Sequence, residues 1–180
     1  MGVLDGKRVA VLATDGVEEV ELTDPRDAVS RAGATVEIVS IETGPIQAMN
    51  SDIEPAGTYD VDRRVADVDA DDYDALIMPG GTVNADRLRM DSDVRSFVTA
   101  LVESGKPVGA ICHAPWTLVE AGLVTGRTLT SYPSLRTDIA NAGGKVVDEE
   151  VAIDGNLITS RDPGDLAAFC ATLVERIAES

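Results

Sequence analysis

The segment "PVGAICHAPWTLVEAG", residues 107–122, decides the fold. Residues 107–112 form a short apolar run that is typical of a buried strand, and a helical pattern follows at once over 113–121 until Gly122 ends it. A strand that passes directly into a helix is the repeating step of α/β proteins with a parallel sheet. We therefore expect a parallel sheet covered by helices.

The rest of the chain alternates in the same way. Buried strands are predicted at residues 9–14 and 73–81, and an alternating strand at 35–42. The two short strands flanking "DGN" should form a small antiparallel appendage within 149–160. Helices are predicted at 17–32, 91–104, 133–142 and 165–177, with Pro25 near a helix start or a kink. The Gly-, Pro- and Asp-rich stretch 43–72 contains short β-like pieces but is the least readable part of the chain. The order predicts one α/β domain over residues 1–180, with a mostly parallel, doubly wound sheet.

The charge balance narrows the classes of partner. Lys and Arg together number 15 against 32 Asp and Glu, which gives a net charge of −17. Such a surface repels phosphate, so we expect no nucleic-acid partner. A solvated acidic surface of this density suits a salt-rich cytosol, while an ordinary acidic mesophilic protein is the alternative.

Membrane, disulfide and metal chemistry are not indicated. The longest stretch without a charged side chain, 107–119, is too short to span a bilayer, and charged residues follow Met1 without an apolar signal core, so a cytoplasmic protein is expected. Two cysteines form no disulfide framework and are expected as thiols. With one histidine they cannot complete a zinc site without carboxylates.

Three strand ends carry polar or glycine-rich sequence: "TDG" at 14–16, "PGG" at 79–81 and the segment around Cys112. Ligands of open α/β sheets bind at the carboxyl ends of the strands. Cys112 has an alanine two residues away on each side, as a tight nucleophile turn requires, and the following helix N-terminus favours a thiolate. A buried structural thiol is the alternative. Cys170 belongs to the apolar face of a helix and is expected to pack.

The residues around this turn suggest partners for Cys112. His113 is the single histidine and the only one this chain can offer for Cys-His catalysis, the alternative being a half-exposed helix residue. Gly80 and Gly81, with the N–H of His113, can present backbone donors to an oxyanion, although Gly-Gly is also a common plain turn.

Two further side chains have open assignments. Glu18, in "GVEEVEL", lies either on a solvated helix face or in the pocket, where burial would keep its carboxyl protonated and able to donate to a Cys112 thiolate. Trp116 is either a core residue or a wall of the pocket.

Four segments, "DGVEEVELTDPRDAV", "YDALIMPGG", "AICHAPWTLVEAGLVTGRTLTSYPS" and "DGNLITSRDPGDLAAF", together resemble the ThiJ/PfpI superfamily, in particular its PfpI-like branch of peptidase and deglycase-type proteins. The resemblance implies a flavodoxin-like sandwich related to class I glutamine amidotransferase domains, without metal or organic cofactor, that assembles as a dimer or larger homo-oligomer. It also implies roles for four residues: Cys112 as nucleophile, Glu18 as its partner carboxyl, Gly81 with His113 as oxyanion donors, and His113 as the adjacent histidine.

The chain departs from this family at one position. Peptidase-like members complete a Cys-His-acid triad with a Glu from a neighbouring subunit, and the matching position here is Ala85, with Asp86 next to it. Without an orienting acid, the tautomer of His113 is not fixed. We therefore expect a Cys-dependent enzyme that acts on small reactive carbonyls such as methylglyoxal or its early adducts, as glyoxalase III and deglycase proteins do. An intracellular cysteine peptidase using Cys112 and His113, and a non-enzymatic redox sensor or stress protein, are the alternatives.

Overall fold

A seven-stranded sheet forms the centre of the computed structural model, which describes residues 2–180. Its strand order is β11-β12-β8-β7-β1-β3-β6, and every pair is parallel except β11 with β12. A second sheet has the order β2-β4-β5, and β9 pairs with β10. The strands are β1 (Arg8–Leu12), β2 (Val17–Glu18), β3 (Thr35–Ser40), β4 (Pro45–Asn50), β5 (Glu54–Asp60), β6 (Arg63–Arg64), β7 (Ala75–Met78), β8 (Val108–Ile111), β9 (Thr128–Leu129), β10 (Lys145–Val146), β11 (Val151–Asp154) and β12 (Leu157–Ser160).

Helices cover both faces of the central sheet, as predicted. They are α1 (Glu19–Arg31), α2 (Thr82–Met90), α3 (Ser92–Glu103), α4 (Pro115–Glu120), α5 (Arg136–Asn141) and α6 (Leu166–Ala178). Successive β1 side chains point to opposite faces: Val9 and Val11 pack with α1 and α6, whereas Ala10 and Leu12 pack with α3 and α4. All four are fully buried, so these positions of β1 form an unbroken apolar run in the sequence.

The structure differs from the sequence-based assignment in three details. Of the two positions predicted for Pro25, a helix start or a kink, the helix start is wrong, because Pro25 lies in the middle of α1. Residues 82–90, which carried no prediction, form α2. The strand Leu157–Ser160 is not in an appendage, because it pairs in parallel with β8 inside the central sheet and only β11 is antiparallel.

The stretch 43–72 contains the hairpin that closes one side of the site. Strands β4 and β5 pair antiparallel, and their connection is a turn in which Ile53 N donates to Asn50 O. Ser51 and Asp52 both have positive φ, +53° and +64°. Two positive φ angles match the right-handed twist of a hairpin, but non-glycine residues rarely adopt them, so the surroundings must hold this turn.

The carboxyl ends of β1, β7 and β8 meet at one edge of the sheet. The chain passes from β1 to β3 on one side and reaches β7 on the other, so the crevice lies beside a switch in strand order. Over residues 2–180, no helix is long and apolar enough to cross a membrane.

Candidate active site

Cys112 lies on a strained turn between β8 and α4. Its φ is +62°, a left-handed value that confirms the predicted tight turn, and the flanking Ala110 and Ala114 are buried. Helix α4 begins at Pro115, later than predicted, so it is not the source of the N–H groups that contact the sulfur. The backbone N–H groups of Gly81 and His113 donate to the Cys112 sulfur and favour the thiolate.

A cavity of about 240 Å³ opens onto this sulfur. Apart from Cys112 and Tyr132, the ionisable side chains that line it within the described chain are carboxyl groups and the imidazole of His113. The lining residues are Glu18, Glu21, Ser51, Asp52, Gly81, Cys112, His113, Tyr132 and Pro163. This volume suits a molecule of a few heavy atoms better than a length of polypeptide.

The carboxyl group beside Cys112 belongs to Glu21, which is 0% exposed. Its Oε2 accepts the Gly80 N–H at 2.8 Å, and its Oε1 has no nitrogen or oxygen partner. Burial raises the pKa of Glu21 from its ordinary value of 4.5 to about 8, because a charged carboxylate loses its hydration there. At neutral pH most molecules therefore carry a protonated Glu21 that can donate to the sulfur.

The prediction that Glu18 is this partner was wrong. The Glu18 carboxylate lines the mouth of the cavity and accepts the N–H groups of Ser51 at 2.9 Å and Asp52 at 3.3 Å, across the strained hairpin turn. Glu18 ends β2 before α1 begins, whereas Glu21 lies inside α1 and points toward the sheet. The carboxylate of Glu18 is thus committed to the turn.

Burial also changes the chemistry of Cys112. Desolvation raises the pKa of the thiol, and a negative charge on Glu21 raises it further. Protonation of Glu21 removes that repulsion and supplies a hydrogen bond to the thiolate, so the two groups exchange charge rather than carry it together.

His113 contacts Cys112, as predicted. Its Nδ1 lies 3.2 Å from Cys112 Sγ, and its Nε2 lies 3.4 Å from both Thr82 Oγ1 and Ser134 Oγ. The Tyr132 ring stacks on the imidazole at 4.7 Å between centroids. Burial lowers the pKa of His113, and the negative charge of Asp52 partly opposes this, so the imidazole is neutral at neutral pH.

The other predicted site residues, Gly81, Gly80 and Trp116, differ in whether they line the cavity. Gly81 reaches the cavity, with φ +91° and its Cα against Gly16 and Glu18, where a Cβ would collide with backbone. Gly80 contributes through its N–H to Glu21 rather than as a lining residue. Trp116 is not a cavity wall either, because its ring meets His113 edge-on at 5.5 Å and its Nε1 donates to Asp138.

The position at which the family resemblance places the acid of the peptidase triad holds no acidic side chain in this chain. Ala85 is fully buried, and Asp86 lies on the exposed face of α2. The carboxylate whose negative charge raises the pKa of His113 is that of Asp52. Cys170 packs, as predicted, against the core on the face of the central sheet that α1 and α6 cover, and its pKa is raised to about 11, mainly by burial.

The sequence interpretation missed Glu21, Asp52, Thr82, Tyr132 and Ser134. A signal for Glu21 was present: it shares a helical stripe with Pro25 and Val29, so a carboxyl occupies an apolar position. Asp52 carried no such signal, because only the hairpin of β4 and β5 brings it to Thr82. Thr82 directly follows the predicted Gly80-Gly81 turn, which was the available signal for it. Within residues 2–180 no three His, Cys, Asp or Glu side chains are grouped so as to hold a metal ion.

The family model described as the DJ-1/PfpI family matches residues 7–176. The chain belongs to the DJ-1/PfpI family. It is 41% identical over 91% of its length to "Putative cysteine protease YraA" of Bacillus subtilis, covering 94% of that protein. It is 36% identical over 93% of its length to "Deglycase TK1284" of Thermococcus kodakarensis, covering 98% of that protein.

A solved structure of the same family confirms the flavodoxin-like fold. Drosophila melanogaster DJ-1beta superposes with a TM-score of 0.86 at 31% identity, covering 97% of this chain and 91% of that one. The relatives' names include both deglycase and cysteine protease, so family membership points to enzymatic activity without choosing the reaction.

Proposed function

We propose that the chain is a cofactor-independent, cysteine-dependent enzyme that acts on reactive carbonyls, namely 2-oxoaldehydes of the methylglyoxal type or their early adducts on thiols and amines. The observation that carries this proposal is the buried carboxyl of Glu21 beside Cys112, with its pKa raised to about 8. Such a group gives and takes protons near neutral pH, as a proton shuttle between carbon atoms requires.

The reaction balances without an external oxidant. The Cys112 S–H adds across the aldehyde carbonyl, forming a C–S bond and a hemithioacetal. The ionised form of Glu21, a minority at neutral pH, then takes the C–H proton of that carbon and returns it to the neighbouring ketone carbon, while the hydroxyl proton passes between the two oxygens. The first carbon is oxidised and the second reduced, which gives a thioester of a 2-hydroxy acid. Water cleaves the thioester and restores the thiol.

The size and polarity of the cavity support a small substrate. Its volume of about 240 Å³ accommodates a three-carbon oxoaldehyde. The N–H groups of Gly81 and His113, which now point at the sulfur, are placed beside any oxygen on a carbon bonded to it. Deglycase names among the relatives are consistent with this substrate class.

A second candidate is a cysteine peptidase. The contact of 3.2 Å between Cys112 Sγ and His113 Nδ1 favours it, since a peptidase needs a base for the thiol and an acid for the leaving amine. The small cavity and the buried protonated carboxyl beside the sulfur are not needed for that reaction.

Parallel assays of one pure preparation test the proposal. Wild type and Cys112→Ser are incubated with methylglyoxal, with its N-acetylcysteine adduct and with unfolded casein. The proposal expects lactate formation from the first two by the wild type alone. Casein cleavage without lactate would replace it with the peptidase, and no Cys112-dependent turnover of any substrate would replace it with a redox or stress role.

A further inference from the structure

A chain of three polar groups leads from the hairpin turn to the catalytic histidine. Asp52 accepts two hydrogen bonds from Thr82, at Oδ1 from the backbone N–H at 2.7 Å and at Oδ2 from Oγ1 at 2.8 Å. Thr82 Oγ1 in turn lies 3.4 Å from His113 Nε2. Asp52 thus binds the first residue of α2 at both its backbone and its side chain.

The direction of these hydrogen bonds fixes the position of a proton. A carboxylate only accepts, so the single hydroxyl proton of Thr82 points at Asp52. Thr82 Oγ1 then has only lone pairs to offer His113, and Nε2 must be the donor. A neutral imidazole that is protonated on Nε2 carries its lone pair on Nδ1. That lone pair faces Cys112 Sγ at 3.2 Å.

The second hydroxyl at this nitrogen does not select a tautomer. Ser134 Oγ is also 3.4 Å from His113 Nε2, and that is its hydrogen-bonding contact in the described chain. Because its proton is not committed to a carboxylate, it can donate or accept equally well. The selection therefore comes from Thr82 and Asp52.

The backbone supports Asp52 in this position. Asp52 sits at φ +64° in the hairpin turn, and Glu18 holds the turn by accepting the N–H groups of Ser51 and Asp52. A left-handed conformation at a residue without glycine's freedom persists only where its surroundings require it. The carboxyl groups that share the cavity with His113 are Glu18, Glu21 and Asp52, and of these Asp52 is the one bound to Thr82.

We propose that Asp52, acting through the Thr82 hydroxyl, is a positioning residue that holds His113 with its proton on Nε2 and Nδ1 ready to take the Cys112 proton. This pair supplies from within the chain the orienting acid that the family resemblance assigns to the position of Ala85. The inference rests on the proposed role of Cys112 as nucleophile and is independent of the substrate.

The single histidine makes the tautomer directly measurable. Protein labelled with ¹⁵N-histidine gives one pair of imidazole nitrogen signals, which can only be those of His113. Near neutral pH the wild type should show the Nε2–H tautomer, and Thr82→Ser should keep it. Thr82→Val, which has the same shape without the acceptor, should give a mixture of tautomers.

Asp52→Asn should invert the preference, because the amide can donate to Thr82 Oγ1 and turn the hydroxyl proton toward Nε2. Ser134→Ala is the matched control and should keep the wild-type tautomer. An Nδ1–H tautomer in the wild type, or a change in Ser134→Ala with none in Thr82→Val, would overturn the inference.

The rate of Cys112 alkylation by iodoacetamide gives a second readout. Loss of the Nδ1 base should slow alkylation at pH 7 by about tenfold or more in Asp52→Asn, and by a smaller factor in Thr82→Val, where part of the histidine keeps that base. Thr82→Ser should restore the rate, and equal rates in all variants would contradict the inference. Neither measurement uses a carbonyl substrate. If the tautomers and the alkylation rates are as expected but no lactate forms, the proposed function is wrong and this inference still holds.

Discussion

Replacing Glu21 with Gln should change how stability depends on pH. In the folded protein burial raises the pKa of Glu21 from 4.5 to about 8, whereas the unfolded chain loses this proton near the ordinary value. The native state thus binds the proton more tightly. The resulting contribution to the unfolding free energy is complete below pH 4.5 and is lost as the pH rises through about 8.

The size of the effect follows from the two values. One pKa unit corresponds to about 1.4 kcal/mol, so the wild type should lose roughly 4 kcal/mol relative to Glu21→Gln between pH 5 and pH 8.5. Gln has the same shape as a protonated Glu and does not ionise. It keeps a carbonyl oxygen that accepts the Gly80 N–H.

Urea unfolding of both proteins at four or five pH values measures this difference. Other titrating groups are present in both chains and largely cancel, except Cys112, whose pKa depends on the charge of Glu21, so both proteins carry Cys112→Ser in this comparison. A difference in unfolding free energy that stays constant within about 1 kcal/mol over this range would refute a buried, protonated Glu21.

Three further outcomes are expected. Brief iodoacetamide treatment followed by mass spectrometry should label Cys112 before Cys170, because only Cys112 has a base and two N–H donors at its sulfur; faster labelling of Cys170 would contradict the site. Gly80→Ala should lower stability by roughly 1–3 kcal/mol in urea unfolding and reduce turnover, because the new Cβ would lie 2.7 Å from the Cys112 Cβ and collide with Glu21; wild-type stability and rate would contradict this packing. The melting temperature should rise from low salt to about 1 M KCl, where the Debye length is roughly 3 Å and the net charge of −17 is screened; an unchanged temperature would exclude salt adaptation.

Most of the fold could be predicted because its signals are local. The apolar runs that became β1, β7 and β8 are short, buried on both faces and bounded by turn residues, so their sequence alone identifies them. Helix α2 was not predicted because its pattern is nearly uniform in polarity. Pro25 argued against a helix interior, yet α1 continues through it because α1 packs against α6 and the sheet.

Site residues that are marked by their own sequence segment could be predicted. Contacts that depend on how distant segments pack could not. Cys112, His113 and Gly81 follow from strand ends that the parallel sheet brings together. Glu21 lies inside α1 whether the helix begins at residue 17, as predicted, or at Glu19, so the choice of Glu18 was wrong because the stripe that Glu21 shares with Pro25 and Val29 was overlooked. Asp52 reaches Thr82 only through the conformation of a hairpin whose sequence showed short β-like pieces without indicating how they pair.

The most direct test of the account is the rate of lactate formation from methylglyoxal by Glu21→Gln, measured beside wild type and Glu18→Gln. Glu21 is the buried carboxyl at the sulfur, so its loss should lower the rate by about 10²-fold or more, the usual scale for a positioned acid or base. Glu18→Gln keeps an oxygen that can accept from the hairpin turn and should lose less than about tenfold. Undiminished lactate formation by Glu21→Gln would contradict the proposed proton transfer.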